Sequence, residues 1–415
     1  MEYGCIGEKL THSFSREIHN RIASYPYELH ELAPSELDGF LRRREFRAIN
    51  VTIPYKQAVL PYLDHISEQA KKIGAVNTIV NREGKLFGYN TDFFGLSALL
   101  NRIGIRPAGQ KVLVLGTGGT SKTACAVLES MGAGEIVRVS RTGREGSVTY
   151  DEAIRAHRDA SYLINTTPCG MFPAGDAQPI SLCELPALRG VADVIYNPLR
   201  TRLVTEALHA GLKAEGGLFM LVAQAVAASE LFTGETFAKD PSDAVFRTLF
   251  AGKENIVLTG MPGSGKTTVG KLLAERLSRP FLDLDERIEA AAGMPVTEIF
   301  RERGETGFRE LEEQVIREQA APLTGCVIAT GGGAILRDIN VTRLKQNGRV
   351  YLIDRPPEEL VPTPDRPLAL CREAIRKRYE ERHDRYFGTC DTVVRAGHSP
   401  EETADRLLSL REAGH

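Results

Sequence analysis

KVLVLGTGG, residues 111 to 119, is an apolar run that stops at Gly116, Gly118 and Gly119 and passes into a helical pattern. This is how a parallel strand feeds a helix where glycine backbone can approach a pyrophosphate at the helix N-terminus. The same grammar continues downstream. EIVRVS (135–140), YLINTT (162–167) and VADVIY (191–196) alternate with helical stretches, which predicts a parallel sheet with right-handed crossovers. Ser121 stands where a dinucleotide fingerprint has its third glycine, so the turn Gly116-Thr117-Gly118-Gly119-Thr120 taken alone fits a structural loop as well as a cofactor site.

The end of the next strand separates the two. An NAD site places an acidic residue there, on the ribose hydroxyls. This chain has Ser140, Arg141 and Thr142, with Arg144 close behind. A guanidinium binds a 2′-phosphate that a carboxylate would repel, so the pattern points to NADP; the competing reading is a solvated basic turn.

A second nucleotide fold follows. NIVLT (255–259) leads into GMPGSGKT (260–267), a P-loop in which the backbone at Gly263, Ser264 and Gly265 cradles phosphates. Lys266 reaches the outer phosphate oxygens, Thr267 reaches Mg²⁺ and Thr268 continues into the helix. That implies ATP. Asp283 and Asp285 close the next strand, where two carboxylates can serve a metal and a hydroxyl nucleophile, or a helix cap and a surface acid. Arg309 precedes Glu312 and Glu313 at helical spacing, so a helix-face ion pair competes with a ligand role. Gly331, Gly332 and Gly333 after an apolar strand indicate close backbone approach by a ligand or by neighbouring chain.

Ahead of the glycine turn, residues 1–93 mix strand signals (FRAINVTI, VNTIV, KLFGYN) with amphipathic stretches such as LDHISEQAKKI, an open α/β layer. Pro54 suits the first position of a helix carrying Lys56, and Asp92 or Thr91 suits the N-cap of the next. A lysine and an aspartate brought together can relay the proton that carbonyl reduction needs; an exposed lysine and a cap are the simpler alternative. The helical run LVAQAVAASELFTG and then DAVFRTLF follow Gly216 and Gly217. The boundary falls at residues 251–254.

At 415 residues two or three domains are expected. A net charge of -2 without a basic cluster gives no sign of a nucleic-acid partner. The seven cysteines are scattered without a Cys-x-x-Cys pair, which disfavours a disulfide framework or zinc site. No apolar run reaches about 18 residues, so the reading is a cytoplasmic chain with no membrane partner. Oligomeric state is not legible.

Two families now come into view. HSFSREIHN, NVTIPYK, GAVNT, GYNTD, GTGGTSK, NTTPCGM, DVIYNP and GLFMLVAQA, in that order, resemble shikimate dehydrogenase; GMPGSGKTT, FLDLDERIE, GETGFRELE, ATGGGA, DRPLAL and YEERHDRYF resemble shikimate kinase. The resemblance implies a substrate lobe at 1–93 completed by 223–250, a Rossmann NADP lobe at 94–222, a linker at 251–254 and a P-loop kinase domain with a parallel sheet at 255–415. It implies that Ser13 and Ser15 hold a carboxylate, that Thr52, Asn77, Tyr196 and Gln224 contact substrate, and that Lys56 and Asp92 are catalytic. The cofactor falls to Gly116 through Thr120, Ser140 through Arg144, Val194 and Gly217. In the second half Asp285, Arg309, Gly332 and Arg382 fall to shikimate, Asp285 also accepting the proton of the attacking hydroxyl. Lys266 and Arg366 fall to the transferring phosphoryl, and Thr267 and Asp283 to Mg²⁺.

Arg16 stands where the family has proline and Ser140 where it has asparagine, and the lid stretch PPEELVPTPDRPLAL is short. The expected activity is NADPH-dependent reduction of 3-dehydroshikimate followed by ATP-dependent phosphorylation of shikimate. One rival is an NAD(P)-dependent quinate or shikimate dehydrogenase with a weakly active kinase-like half. Another is a non-catalytic ligand sensor, which the absence of a recognition module disfavours.

Overall fold

The computed structural model describes residues 1–10, 13–144, 146–360 and 372–413. They form two compact units: Met1–Met171 with Ala177–Asn197 and Glu206–Leu249, and Phe172–Asp176 with Pro198–Thr205 and the chain from Phe250.

The first unit holds two sheets. In one, β1 (Tyr3–Gly7), β2 (Tyr27–Glu31), β3 (Ala48–Val51), β4 (His65–Ile66), β5 (Thr78–Arg82) and β6 (Lys85–Tyr89) lie in the order β2-β1-β3-β5-β6-β4. Strands β2, β1 and β3 are parallel, and β5 runs against both β3 and β6. The sequence pattern predicts β3, β5 and β6. It does not show β1, which is two-fifths glycine, β2, which is mostly polar, or β4, which is two residues long. LDHISEQAKKI divides into β4 and a helix at Glu68–Ile73, because the Ser67 side chain accepts the Ala70 N–H and starts the helix there.

Strand periodicity gives this sheet two apolar faces. Ile49 and Ile79 face a cluster with Leu37, Leu41 and Phe46. Ala48 and Val80 face Ala228 and Phe232 on the helix Leu218–Thr233. That helix is therefore held against the first sheet by burial worth about 1.5–3 kcal/mol for each large side chain.

The second sheet, β7 (Lys111–Leu115), β8 (Glu135–Val139), β9 (Tyr162–Asn165), β10 (Gly190–Asp193) and β11 (Lys213–Glu215), is parallel throughout in the order β11-β10-β9-β7-β8. Val112 to Leu115 are fully buried, as a strand covered on both faces requires.

The second unit carries a parallel sheet of β12 (Asn255–Thr259), β13 (Phe281–Asp283), β14 (Val327–Ala329), β15 (Gly348–Asp354) and β16 (Thr392–Arg395), ordered β13-β14-β12-β15-β16. The loops after β12, β13 and β14 leave the carboxyl edge together, where open α/β sheets bind ligands. Residues 172–176 and 198–205 belong to this unit. Arg343 grips Asp176 at 2.8 Å, and the Leu199 N–H donates to Asn347 Oδ1 at 2.8 Å. Ala251 to Lys253, which read as part of a connector, instead end the helix Ser242–Lys253. Its Ala251 carbonyl accepts from Arg279 and Arg411, which caps the helix end with cations.

Candidate active sites

Lys56 follows β3. The stretch from Ile53 to Val59 is a series of turns and not the helix that Pro54 suggests, because the Lys56 carbonyl accepts the Val76 N–H at 2.8 Å and is lost to a helical ladder. The Lys56 ammonium donates to Asp92 Oδ2 at 2.6 Å, with the side chains 20% and 11% exposed, so the pair is reachable by a small molecule. Asp92 is the first residue of the helix Asp92–Arg102. Thr91 is its N-cap, without a side-chain capping bond, so the Asp92 carboxylate serves the lysine.

The helix Leu218–Thr233 brings Gln224 to the same place. A Cβ on Gly95 would lie 2.5 Å from the Met220 carbonyl oxygen, so only glycine allows this approach. Asn77 Nδ2 then donates to Gln224 Oε1 at 3.4 Å, and the Thr91 N–H donates to Asn77 Oδ1 at 2.7 Å. Ser13 Oγ donates to Ser15 Oγ at 3.1 Å. Between them in sequence, Phe14 packs 5.4 Å from the Tyr196 ring, whose hydroxyl burial pushes upward and keeps protonated. Thr52 is half-buried, its N–H on the Ile6 carbonyl.

At the glycine turn, Ser121 Oγ donates to the Gly116 carbonyl at 2.7 Å, so the residue that breaks the fingerprint braces the loop. Gly118 is exposed, and Thr117, Gly119 and Thr120 are half-exposed at the start of the helix Gly119–Ser130. Ser140 Oγ accepts the Gly143 N–H at 3.1 Å and meets Ser147 Oγ at 2.7 Å, folding the turn that leaves Arg141, Thr142 and Arg144 exposed. Gly217 lies against the Val194 carbonyl.

In the second unit Lys266 is buried and donates to the Gly260 and Met261 carbonyls, each at 2.9 Å. Gly263, Ser264, Gly265 and Thr268 line the P-loop and the start of the helix Lys266–Leu277. The Ser264 hydroxyl is buried and, among the described residues, has no hydrogen-bond partner. Thr267 Oγ1 donates to Asp283 Oδ2 at 2.7 Å, while Asp283 Oδ1 accepts the Asp285 N–H at 3.0 Å. Asp283 is thus both a helix cap and a partner of the P-loop hydroxyl.

Arg309 donates to Glu312 at 2.7 Å and to Glu305 at 3.3 Å; Glu313 turns away to Arg337 and Arg343. Burial lowers the Arg309 pKa, and the two carboxylates outweigh it and hold it above the usual value. Burial likewise raises the Glu312 carboxyl, against the pull of Arg309. A Cβ on Gly333 would lie 2.1 Å from Arg309 Nη2, so the triple glycine is where the guanidinium lies on the backbone. Asp285 Oδ1 would be 2.7 Å from a Cβ on Gly331, and Arg382 Nη1 donates to the Gly332 carbonyl at 3.0 Å. Asp285, Arg309, Gly332 and Arg382 therefore converge. Arg366 lies outside the described residues. Among the described residues no group of three or more His, Cys, Asp or Glu is arranged to hold a metal.

A family model for the shikimate dehydrogenase substrate binding domain matches residues 5–79. The shikimate dehydrogenase (NADP(+)) of Clostridium beijerinckii is 40% identical over 245 residues, 55% of this chain and 91% of that protein. This chain belongs to the shikimate dehydrogenase family. Shikimate dehydrogenase 1 of Peptoclostridium difficile superposes with a TM-score of 0.56 at 33% identity, covering 60% of this chain and 98% of that one. The shikimate 5-dehydrogenase of Thermus thermophilus, solved with NADP(H) and shikimate, gives 0.54 at 32%, covering 60% and 99%.

Beyond the shikimate dehydrogenase part, a shikimate kinase model matches residues 262–411. The chain is therefore an enzyme of the shikimate pathway with an NADP-dependent dehydrogenase part and a nucleotide-binding kinase part. Sequence reading overlooks two residues of the cluster around Arg309 and Gly332. Glu312 reads as a helix-face acid, yet it is 1% exposed and orients Arg309. Tyr386 donates to the Gly332 carbonyl; its only signal is an aromatic four residues after Arg382, on the same helical face.

Proposed function

We propose that this chain reduces 3-dehydroshikimate to shikimate with NADPH and then phosphorylates the 3-hydroxyl of shikimate with Mg-ATP, in the cytoplasm. The observation that carries this reading is the convergence of polar residues at two places on one chain: Lys56–Asp92 beside Asn77 and Gln224, and Asp285 beside Arg309, Gly332 and Arg382.

NADPH supplies the hydride. Lys56 gives its proton to the oxygen that gains negative charge, and Asp92 holds the ammonium in line and balances its charge. Ser13, Ser15 and Tyr196 donate to the substrate carboxylate. Thr52, Asn77 and Gln224 hold the ring hydroxyls. Gly116 to Thr120 and Gly217 with Val194 take the dinucleotide, and Arg141 and Arg144 take its 2′-phosphate.

In the second unit Asp285 accepts the proton of the attacking hydroxyl while Arg309, Arg382 and the Gly332 backbone fix the substrate. Lys266, with Arg366, stabilises charge on the phosphoryl in transfer. Thr267 Oγ1 and Asp283 Oδ2 are adjacent hard oxygen donors, a fit for Mg²⁺, which keeps several waters and substrate phosphates as ligands.

The test is to incubate the protein with 3-dehydroshikimate, NADPH and Mg-ATP and follow both products, beside Lys56→Ala and Lys266→Ala. The wild type should make 3-phosphoshikimate; Lys56→Ala should block reduction, and Lys266→Ala should leave shikimate unphosphorylated. NADPH consumption with shikimate accumulating in the wild type would overturn the kinase half of the proposal.

A further inference from the structure

We propose that Tyr27, Asn50 and Thr78 are positioning residues: a buried hydrogen-bond relay that holds the Asn77 and Gln224 amides in place, and with it raises the affinity of the first unit for its hydroxylated ring substrate. The inference rests on the dehydrogenase reading above.

Tyr27, Asn50, Asn77, Thr78, Thr91 and Gln224 are all under 9% exposed, so their polar groups must be satisfied chiefly by one another. An amide side chain can face either way, and only its donors and acceptors decide which. The relay begins at Tyr27. Burial keeps its phenol protonated, and the single hydrogen goes to Asn50 Oδ1 at 2.7 Å.

With its oxygen taken, Asn50 presents Nδ2 to Thr78 Oγ1 at 3.2 Å and to the Asn77 carbonyl at 3.4 Å. An amide nitrogen only donates, so Thr78 Oγ1 accepts and must give its own hydrogen elsewhere. Asn77 Oδ1 stands 3.0 Å away and Thr91 Oγ1 3.1 Å. The Asn77 oxygen also receives the Thr91 N–H, which leaves the Asn77 NH₂ to donate to Gln224 Oε1 and to a bound ligand.

The one hydroxyl hydrogen of Thr91 has two acceptors, Asn77 Oδ1 and Gln224 Oε1, each at 3.2 Å; where Thr78 supplies Asn77, it goes to Gln224. Gln224 Nε2 then donates to the Leu221 carbonyl at 3.0 Å. The phenol and the two hydroxyls each give one hydrogen, so the relay ties both amides to the Tyr27–Asn50 pair. The Thr91 N–H on Asn77 Oδ1 and the Leu221 carbonyl on Gln224 Nε2 give each amide its facing; without the phenol hydrogen or the Thr78 hydroxyl the relay no longer holds them in place, with the Lys56–Asp92 pair untouched.

The experiment is steady-state kinetics on the full chain for Tyr27→Phe, Thr78→Val, Thr78→Ser and Tyr27→Phe/Thr78→Val, with phosphorylation of added shikimate by the same protein as the control for amount and integrity. Losing one buried hydrogen-bond donor should raise KM for 3-dehydroshikimate about tenfold in Tyr27→Phe and Thr78→Val, with KM for NADPH and the kinase rate unchanged. Thr78→Ser keeps the hydroxyl and should stay within roughly twofold of the wild type. The double variant should be no worse than Thr78→Val, as members of one relay are not additive.

Unchanged KM in Thr78→Val, additive losses in the double variant, or a fall in kcat at constant KM would overturn the relay. Should Thr78→Val fail to bind NADPH, Tyr27→Phe decides on its own. A wild type that reduces no 3-dehydroshikimate sinks the functional reading, a result separate from any pattern among the variants.

Discussion

The two units solve opposite electrostatic problems. The first gathers one cation and one anion, Lys56 and Asp92, on a floor of neutral amides and hydroxyls. The second gathers Arg309 and Arg382 around Asp285 and Glu312, with Lys266 buried in the P-loop that carries Thr267 to Asp283. A reduction places a single charge on one oxygen, which one proton discharges; phosphoryl transfer spreads charge over several oxygens, which takes several fixed cations. On the proposed reading a lysine–aspartate pair serves the first and would be inadequate for the second.

That contrast can be broken most forcefully at Lys56. Lys56→Ala should lower the rate of 3-dehydroshikimate reduction by about 10²–10⁴-fold, the usual range for a general acid, and leave phosphorylation of added shikimate unaltered. A parallel loss of both activities would show that the two sites are not independent.

Next in size is the arginine that lies on the triple glycine. Arg309→Lys keeps the charge and loses the planar fork; with hydrogen bonds to charged groups worth about 1.5–3 kcal/mol, KM for shikimate in the kinase assay should rise roughly 10- to 100-fold. Glu312→Gln should follow in the same direction with a smaller change, since it acts through Arg309.

The cofactor preference sharpens the comparison from the other side. Arg141→Ala should lower the NADPH-to-NADH preference roughly tenfold, read from the ratio of kcat/KM for the two, by loss of one charge-assisted hydrogen bond. An unchanged ratio would return the exposed turn to a merely solvated role.

The last effect is on stability and not on rate. His19 is fully buried, stacked 3.8 Å from the Tyr27 ring, with Tyr25 and Phe232 around it and Nδ1 on the Tyr25 hydroxyl. Burial lowers its pKa from 6.5 to about 3. The unfolded chain takes up a proton below pH 6.5 that the folded unit refuses until about pH 3. Stability from this group is complete above 6.5 and falls with pH by up to about 1.4 kcal/mol per unit across that window. Dehydrogenase activity should therefore be lost before kinase activity on incubation at pH 4.5 to 5, and His19→Gln should narrow the gap.

How much of this is legible from sequence follows residue by residue. GMPGSGKT and KVLVLGTGG declare their strand–turn–helix context, because a phosphate-binding loop needs glycines at fixed spacing right after an apolar strand. The strands YGCIG and YELHE do not, since glycine and alternating polar residues carry no periodic apolar signal. Pro54 and Lys56 mislead for a different reason: local propensity favours a helix start, and a single long-range bond, the Val76 N–H on the Lys56 carbonyl, overrides it. Arg309 lies between, for its pairing with Glu312 is written in helical spacing while its packing on Gly333 is not.

By itself, then, the sequence determines that this chain has two nucleotide-binding α/β folds and which residue types each must present, because those demands are local: a glycine turn, a P-loop lysine, a basic residue at a strand end. Tertiary structure decides what meets what. It sets Gln224 beside Asn77, 147 positions apart in the chain, and it chooses Glu312 over Glu313 as the partner of Arg309. Those choices depend on which faces are buried and how closely backbones approach, quantities that belong to the packed whole and to no single stretch of it.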